Sequence, residues 1–192
     1  MFNERGVAAQ VILQAVLNSF ATDFVARQKL GGSHLTYTVL TQVAVPPPEA
    51  IGEPMGWDRG RSFAVWLAER SASLSASSWP MARALGYDTT VPWNPQHRAL
   101  WIAELDAAMF HLYGYQRDDV AYVLDTFPIL ARQDRRAEGL QDDDPNWRTK
   151  RLILAKFDEL VDHARAGTNY VSPDPPPPLP DKLRLTNARR DA

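Results

Sequence analysis

The stretch NPQHRALWIAELDAAMFHLYGY, residues 94–115, carries the signals that decide the fold class. Asn94 is a preferred residue for capping a helix N-terminus, and Pro95 suits the first helical position because its missing amide is not needed there. Gly114 can adopt the left-handed conformation that ends many helices. The stretch predicts a long capped helix, and we expect a mainly α-helical protein.

The segments on either side of this stretch also show helical patterns. Apolar residues recur at four-residue spacing from about residue 7 to residue 30, which predicts one helix that Gly31 or Gly32 ends in the left-handed conformation. Further helices are predicted at residues 61–75, 80–86, 116–125 and 146–167, the last capped by Asn146. One or two short strands are expected near residues 35–47, where β-branched and aromatic residues precede three prolines.

Composition divides the chain into four parts. Residues 1–48 are interpreted as a helix–turn–strand unit, and residues 49–60, rich in Gly and Pro, as a linker or surface loop. Residues 61–167 are interpreted as a helical domain. Residues 168–192 contain PDPPPPLPDK, which offers little to pack, so we expect a disordered or extended Pro-rich tail.

The charge balance limits the classes of function. Lys and Arg number 21 against 23 Asp and Glu, which gives a formal net charge of -2. A protein that holds nucleic acid by itself usually carries a large basic excess, so a nucleic-acid role requires a local basic patch or a larger assembly. Cysteine is absent from the sequence, which excludes disulfides and thiolate metal sites. With no visible signal peptide and no membrane span, we expect a cytoplasmic protein without a membrane partner.

The residues that usually carry catalysis do not form a convincing constellation. None of the four histidines has metal-ligand spacing to a carboxylate motif: His34, His97, His111 and His163. The acidic run at residues 142–144 is typical of a solvated turn. No phosphate-binding glycine motif is present. WNPQ at residues 93–96 supplies only the first two residues of an Asn-Pro-Pro-aromatic motif, Asn94 and Pro95, and the third and fourth residues do not match. We therefore expect no enzyme, no metal and no cofactor in this chain alone.

Two groups of basic residues suggest contact with phosphate. The turn after the first helix combines cations, glycine amides and a hydroxyl, which are groups that bind phosphate: Arg27, Lys29, Gly31, Gly32, Ser33 and His34. The second group, Arg148, Lys150 and Arg151, opens the last helix, where the helix dipole disfavours cations. For this group, local salt bridges and DNA phosphates are equally good explanations.

Three blocks of the sequence and the Pro-rich ending resemble one protein family. The blocks are LNSFATDFVARQKLGGSHLTYTVLTQVAVPPP (17–48), AELDAAMFHLYGYQRDDVAYVLDTFP (103–128) and NWRTKRLILAKFDEL (146–160). In this order they resemble the C-terminal target-recognition region of adenine-N6 DNA methyltransferases. That group comprises type IIG restriction-modification enzymes and the related methylases of phage-defence systems. A looser likeness extends to the specificity subunits of type I restriction enzymes.

The resemblance implies a noncatalytic DNA-binding or specificity module, either a fragment or a subunit. Its partners would be double-stranded DNA and a methyltransferase domain or subunit, which would bind S-adenosylmethionine. By the same resemblance, Asn18 and Ser19 would fix the first helix against its neighbours. The DNA-binding residues would be Arg27, Lys29, Gly31, Gly32, Ser33, His34, Tyr37, Lys150 and Arg151.

A second hypothesis needs no DNA contact. The segment between residues 57 and 101 contains five tryptophans, and tryptophan is enriched at the energetic centres of protein interfaces. The chain would then be a helical interaction module that docks on a partner methylase or defence complex.

Overall fold

The computed structural model describes residues 6–32 and 34–184, and it confirms the mainly α-helical prediction. This part of the chain contains ten helices and a two-stranded antiparallel sheet. The helices are α1 (Gly6–Leu17), α2 (Phe20–Arg27), α3 (Tyr37–Leu40), α4 (Pro48–Gly52), α5 (Phe63–Ser75), α6 (Trp79–Leu85), α7 (Pro95–Leu112), α8 (Arg117–Asp125), α9 (Pro128–Glu138) and α10 (Arg148–Ala166). The strands are β1 (Pro54–Met55) and β2 (Asp58–Ser62).

Helix α7 lies at the centre of the molecule and packs along α10. Its start is as predicted, because Asn94 Oδ1 accepts hydrogen bonds from the amides of Gln96 and His97. Gly114, with a φ of +77°, follows its last turn. Phe110 is fully buried in the main core, which α8, α10 and the tryptophans also fill. The capped stretch therefore supplies the element around which the other helices pack.

The prediction of a single helix at residues 7–30 is wrong, because these residues form two helices bent by 64°. The break comes at Ser19, whose side chain accepts from the amide of Thr22 and caps α2. The buried carboxylate of Asp106 accepts from the Phe20 amide at 2.9 Å and so also satisfies the new N-terminus. Helix α1 packs along α5, and α2 reaches α7 and α8.

The predicted end of this helix is also wrong. Helix α2 finishes at Gln28 in a right-handed conformation, and neither Gly31 nor Gly32 has a positive φ. The left-handed glycine predicted at Gly114 is confirmed, and Gly86 and Gly167 end α6 and α10 in the same conformation. Two hydrogen bonds of the i→i−3 type, donated by the amides of Lys29 and Leu30, continue the chain beyond α2, and the glycines come after them.

The strands lie further along the chain than predicted. Residues 35–47 contain no strand; they form the single turn α3, capped by Thr36, and then an irregular path. The hairpin of β1 and β2 instead lies mostly in the segment interpreted as a linker, residues 49–60, and β2 continues two residues beyond it; the same segment contains most of α4. Trp57 in the hairpin turn is buried in the main core and packs edge-on against Trp66. Burial of this tryptophan fixes the hairpin on the helices.

The Pro-rich tail is extended, but the expectation of disorder is wrong for residues 168–184. Tyr170 is buried in the main core, and Leu183 is buried in a second core formed with α1, α5 and α6. Trp101 Nε1 donates to Asp174 O at 2.7 Å between these two anchors. The prolines leave most of the segment without regular secondary structure, apart from a 3₁₀ turn at Asp181–Leu183, but single apolar side chains still reach the core. Residues 185–192 lie outside the described residues.

Within the described ranges, no single helix is long and apolar enough to cross a membrane. Helices α1 and α2 reach that length and composition only as a bent pair.

Candidate nucleic-acid interface

Arg27, the first predicted DNA contact, is anchored within the protein. Its Nη1 donates to Thr126 O at 3.0 Å, and its guanidinium lies 3.7 Å from the centre of the Phe127 ring. Nη2 forms an ion pair with Asp23 at 3.0 Å, one helical turn earlier. The guanidinium therefore links α2 to the loop between α8 and α9, and Asp23 neutralises part of its charge.

The turn that follows Arg27 faces outwards. Lys29, Gly31, Gly32 and His34 are exposed, and Tyr37 is 77% exposed. A Cβ added at either glycine would meet no atom within 4 Å, so neither is required by close packing inside the protein. Ser33 lies outside the described residues.

The open backbone at these glycines is accessible to a ligand. Glycine lets another group approach the main chain closely, because no side chain stands in the way. The exposed Lys29 ammonium stands two residues before Gly31. A cation next to accessible main-chain amides is chemistry that suits a phosphate group.

Lys150 and Arg151, the other predicted contacts, are held by carboxylates from neighbouring helices. Lys150 is largely buried, and its Nζ lies 2.7 and 2.8 Å from the two carboxylate oxygens of Asp125 in α8. Arg151 forms two hydrogen bonds with Glu138 of α9, at 3.0 and 2.8 Å. The ion pair raises the pKa of Arg151 and lowers the pKa of Glu138. The partners of Lys150 and Arg151 are thus carboxylates from α8 and α9.

The start of α10 is stabilised in the same way. The helix begins at Arg148, two residues after the predicted cap Asn146, and Trp147 makes no side-chain capping bond. Asp134 of α9 accepts from the Thr149 amide at 2.7 Å and acts as the cap from outside. Its negative charge next to the helix N-terminus offsets the unfavourable placement of the cations.

The two basic groups converge on one short segment. Arg27 binds the main chain of Thr126, and Lys150 binds the side chain of the preceding Asp125. The segment Asp125–Phe127 therefore lies between α2 and α10, and we call it the α8–α9 corner. Sequence reasoning did not identify the corner residues as partners, because no local pattern joins them to cations 99 and 25 residues away.

His111 has a structural position. Its ring stacks on that of Phe157 with 3.9 Å between centres, and Nε2 lies 3.2 Å from Phe157 O. Burial lowers the pKa of His111, so the neutral ring is favoured. It lines a groove of about 640 Å³ whose edge carries the Arg117–Asp158 ion pair. In the described part of the chain, no group of three or more His, Cys, Asp or Glu side chains could hold a metal.

Comparison of the chain with protein-family models, with curated proteins and with solved structures finds no match.

Proposed function

We propose that this chain is a noncatalytic DNA-recognition module of an adenine-N6 DNA methyltransferase in a restriction-modification or phage-defence system. The methylase domain or subunit with which it acts would bind S-adenosylmethionine. The observation that carries the proposal is the meeting of the three resembling sequence blocks at the α8–α9 corner.

The contacts at the corner join all three blocks. Arg27 of the first block binds Thr126 and Phe127 of the second, and Lys150 of the third binds Asp125 of the second. Two further contacts join the first and second blocks along α7. Asp106 accepts from the Phe20 amide, and the hydroxyls of Thr22 and Tyr113 lie 2.9 Å apart. The residues that carry the resemblance therefore form one packed unit, which supports reading them as one functional region.

The packed unit presents the glycine turn to solvent. Arg27 holds the end of α2, and the Tyr113 hydroxyl donates to Ala44 O at 2.9 Å on the far side of the turn. The segment between these anchors carries Lys29 and the two open glycines. In this proposal Arg27 and Lys150 position the turn, and the turn contacts the DNA backbone.

Salt-dependent DNA binding tests the proposal. Fluorescence anisotropy with labelled duplex DNA is measured over a series of salt concentrations, for the chain alone and with its methylase. We expect affinity to fall as salt rises, and Lys29→Ala to lower the log–log salt slope by about one. Arg117→Ala, which removes an exposed cation on α8, is the matched control and leaves the slope unchanged. Absence of salt-dependent binding in both samples would contradict the proposal.

A second candidate function, docking on a partner protein, is favoured by the scarcity of charge near the N-terminus. Between residues 6 and 48 the only Asp, Glu, Lys or Arg residues are Asp23, Arg27 and Lys29. Two of these form an ion pair with each other. Several large apolar side chains of this region are nevertheless exposed: Leu13, Leu17, Leu35, Tyr37, Leu40 and Val45. A surface that combines apolar exposure with little charge is typical of a protein interface.

Copurification separates the two functions. Leu13 and Leu17 line a groove of about 400 Å³ on α1, and charged substitutions there oppose apolar docking. If docking on the methylase is the function, Leu13→Glu with Leu17→Glu abolishes copurification, whereas Lys29→Ala has no effect. If the chain contacts DNA directly, Lys29→Ala weakens DNA binding even in the assembled complex.

A further inference from the structure

Two tryptophans stand out because they are exposed. The sequence contains six, and four of them are buried in the cores: Trp57, Trp66, Trp101 and Trp147. Trp79 and Trp93 are 53% and 67% exposed. A tryptophan ring offers a large apolar area, so leaving two of them in water forgoes much of the stabilisation that burial provides.

Both exposed tryptophans are attached to the C-terminal end of α5. Trp79 begins α6 three residues after Ala76, the residue that caps α5. The Val91 amide donates to Ala76 O at 2.9 Å and brings the segment before Trp93 to the same place. Both tryptophans therefore follow short connections from the C-terminal end of α5.

Each exposed tryptophan is paired with an arginine. The Arg98 guanidinium lies 3.9 Å from the centre of the Trp93 ring, and its Nη1 donates to Leu74 O at 2.8 Å. Arg83 lies over Trp79 at 5.7 Å. Because Arg98 covers one face of the indole, the large exposed area of Trp93 includes the opposite face. Arg98 also keeps further N–H donors, since one hydrogen bond uses only part of its guanidinium.

The sequence around Trp79 contains Arg83 but no carboxylate. No Asp or Glu occurs between Arg70 and Asp88. The C-terminal segment contributes two acidic residues: Asp174 Oδ2 lies 2.8 Å from His97 Nε2, and Asp181 forms an ion pair with Arg184 at 3.0 Å. Lys182 adds a cation at the end of α6, where its Nζ donates to Ala84 O.

We infer that Trp79 and Trp93 form a stacking platform for unpaired bases of a single-stranded nucleic acid, whose phosphates pair with Arg83 and Arg98. Bases stack on exposed aromatic rings irrespective of sequence, and arginine supplies both the phosphate contact and further stacking. The inference rests on the proposed function only in naming DNA as the source of the strand. Binding to unpaired bases is measurable without any duplex.

Quenching of tryptophan fluorescence tests the platform. The chain is titrated with an oligothymidylate of about 15 nucleotides, the upper range for one such binding surface, and with an abasic strand of equal length. We expect quenching and saturable binding with the thymidylate, and weaker binding without quenching for the abasic strand. Trp79→Ala with Trp93→Ala weakens thymidylate binding at least about fivefold. Trp93→Phe alone retains most of the affinity, because phenylalanine still stacks.

The control variant is Tyr122→Ala, which removes an exposed aromatic ring from α8 and is expected to leave affinity unchanged. Circular dichroism establishes that each variant is folded. Equal binding of the abasic strand, unchanged affinity of the double tryptophan variant, or no binding to either strand overturns the inference. If the proposed function is wrong and the platform is right, duplex binding that depends on Lys29 is absent while thymidylate binding is present. An oligouridylate in place of thymidylate distinguishes RNA from DNA as the source.

Discussion

The Tyr170 hydroxyl donates a hydrogen bond to Glu104 Oε1 of α7 at 2.7 Å, although Tyr170 lies 66 residues further along the chain. The other carboxylate oxygen accepts from Arg70 Nε, also at 2.7 Å, and both charged side chains are buried. Burial raises the pKa of Tyr170 and lowers the pKa of Arg70. A buried carboxylate bonded at both oxygens leaves a desolvated, unpaired group when either partner is lost.

Tyr170→Phe is expected to lower the free energy of unfolding by about 1–3 kcal/mol, because Glu104 Oε1 loses its donor while remaining buried. Urea denaturation measures the loss, and limited proteolysis is expected to cut residues 168–184 earlier than in the wild type. Tyr122→Phe, with its ring exposed, is the control and should change neither. Unaltered proteolysis of Tyr170→Phe would show that other contacts hold the segment.

Glu104→Gln is expected to be more damaging, by about 3–5 kcal/mol, because the buried Arg70 loses its hydrogen-bonded counter-ion and keeps only the more distant Glu69, at 3.9 Å. Glu159→Gln is a matched change in a more exposed ion pair with Lys156, and we expect a loss of at most about 1 kcal/mol. Thermal or urea unfolding compares the two. Equal losses would mean that the Glu104 charge is not what stabilises the core.

Arg27→Ala is expected to destabilise the protein by about 1–3 kcal/mol, because it removes the bond to Thr126 O and the contact with Phe127. Arg27→Lys should recover only part of this, since an ammonium group lacks the planar fork. Lys29→Ala, two residues later and exposed, should be neutral in the same denaturation experiment. An Arg27→Ala protein of wild-type stability would instead indicate that Arg27 is reserved for a ligand.

Asp106 is expected to make stability fall as pH rises. Burial raises its pKa to about 7, although the hydrogen bond from the Phe20 amide lowers it. In the unfolded chain a carboxyl of this type has a pKa of about 3.9, so between about pH 4 and 7 only the folded state keeps the proton. The folded state is therefore favoured at low pH and loses that advantage through this window.

The test is Asp106→Asn, which keeps an acceptor for Phe20 and cannot ionise. It should exceed the wild type in stability at about pH 8, by up to about 4 kcal/mol, and match it near pH 4. Asp106→Ala removes the acceptor as well and should be less stable than Asp106→Asn throughout. A constant difference between Asp106→Asn and the wild type across this range would argue against ionisation as the cause.

Gly31→Ala with Gly32→Ala separates binding from stability. Neither glycine has a positive φ or a neighbour within 4 Å of an added Cβ, so stability should be unchanged or raised by about 0.4–1 kcal/mol. Duplex binding should weaken, because two methyl groups obstruct approach to the backbone. Gly139→Ala is the converse control: it also faces open space, but its φ of +68° predicts a stability loss of about 1–2 kcal/mol without a binding defect. Unchanged duplex binding in the double variant would place the DNA contact elsewhere.

Local signals predicted the fold class and several element ends. Asn94 and Gly114 delimit α7 because caps act through the residues next to them, and Gly167 ends α10 for the same reason. Helix α9 was not predicted, although Pro128 at its start and Gly139 at its end are signals of the same kind. These features depend only on neighbours in sequence.

The parts that sequence could not predict depend on distant residues. The break before Phe20 is stabilised by Asp106, 86 positions away, and the cap of α10 comes from Asp134 in the preceding helix. For the candidate site, the exposed turn at Lys29 was found from the sequence, whereas the internal pairing of Lys150 with Asp125 was not. Charge pairing between helices is set by packing, which no spacing rule along one helix reveals.

The C-terminal segment has a consequence for biosynthesis. Tyr170 belongs to one core and Leu183 to the other, and Lys182 binds a carbonyl 98 residues earlier. Both cores therefore stay incomplete during synthesis until residues 168–184 have emerged from the ribosome. Until then, apolar surface on the preceding helices stays exposed. Folding of both cores is therefore completed only when this segment docks, and the apolar surface on the preceding helices is covered at that point.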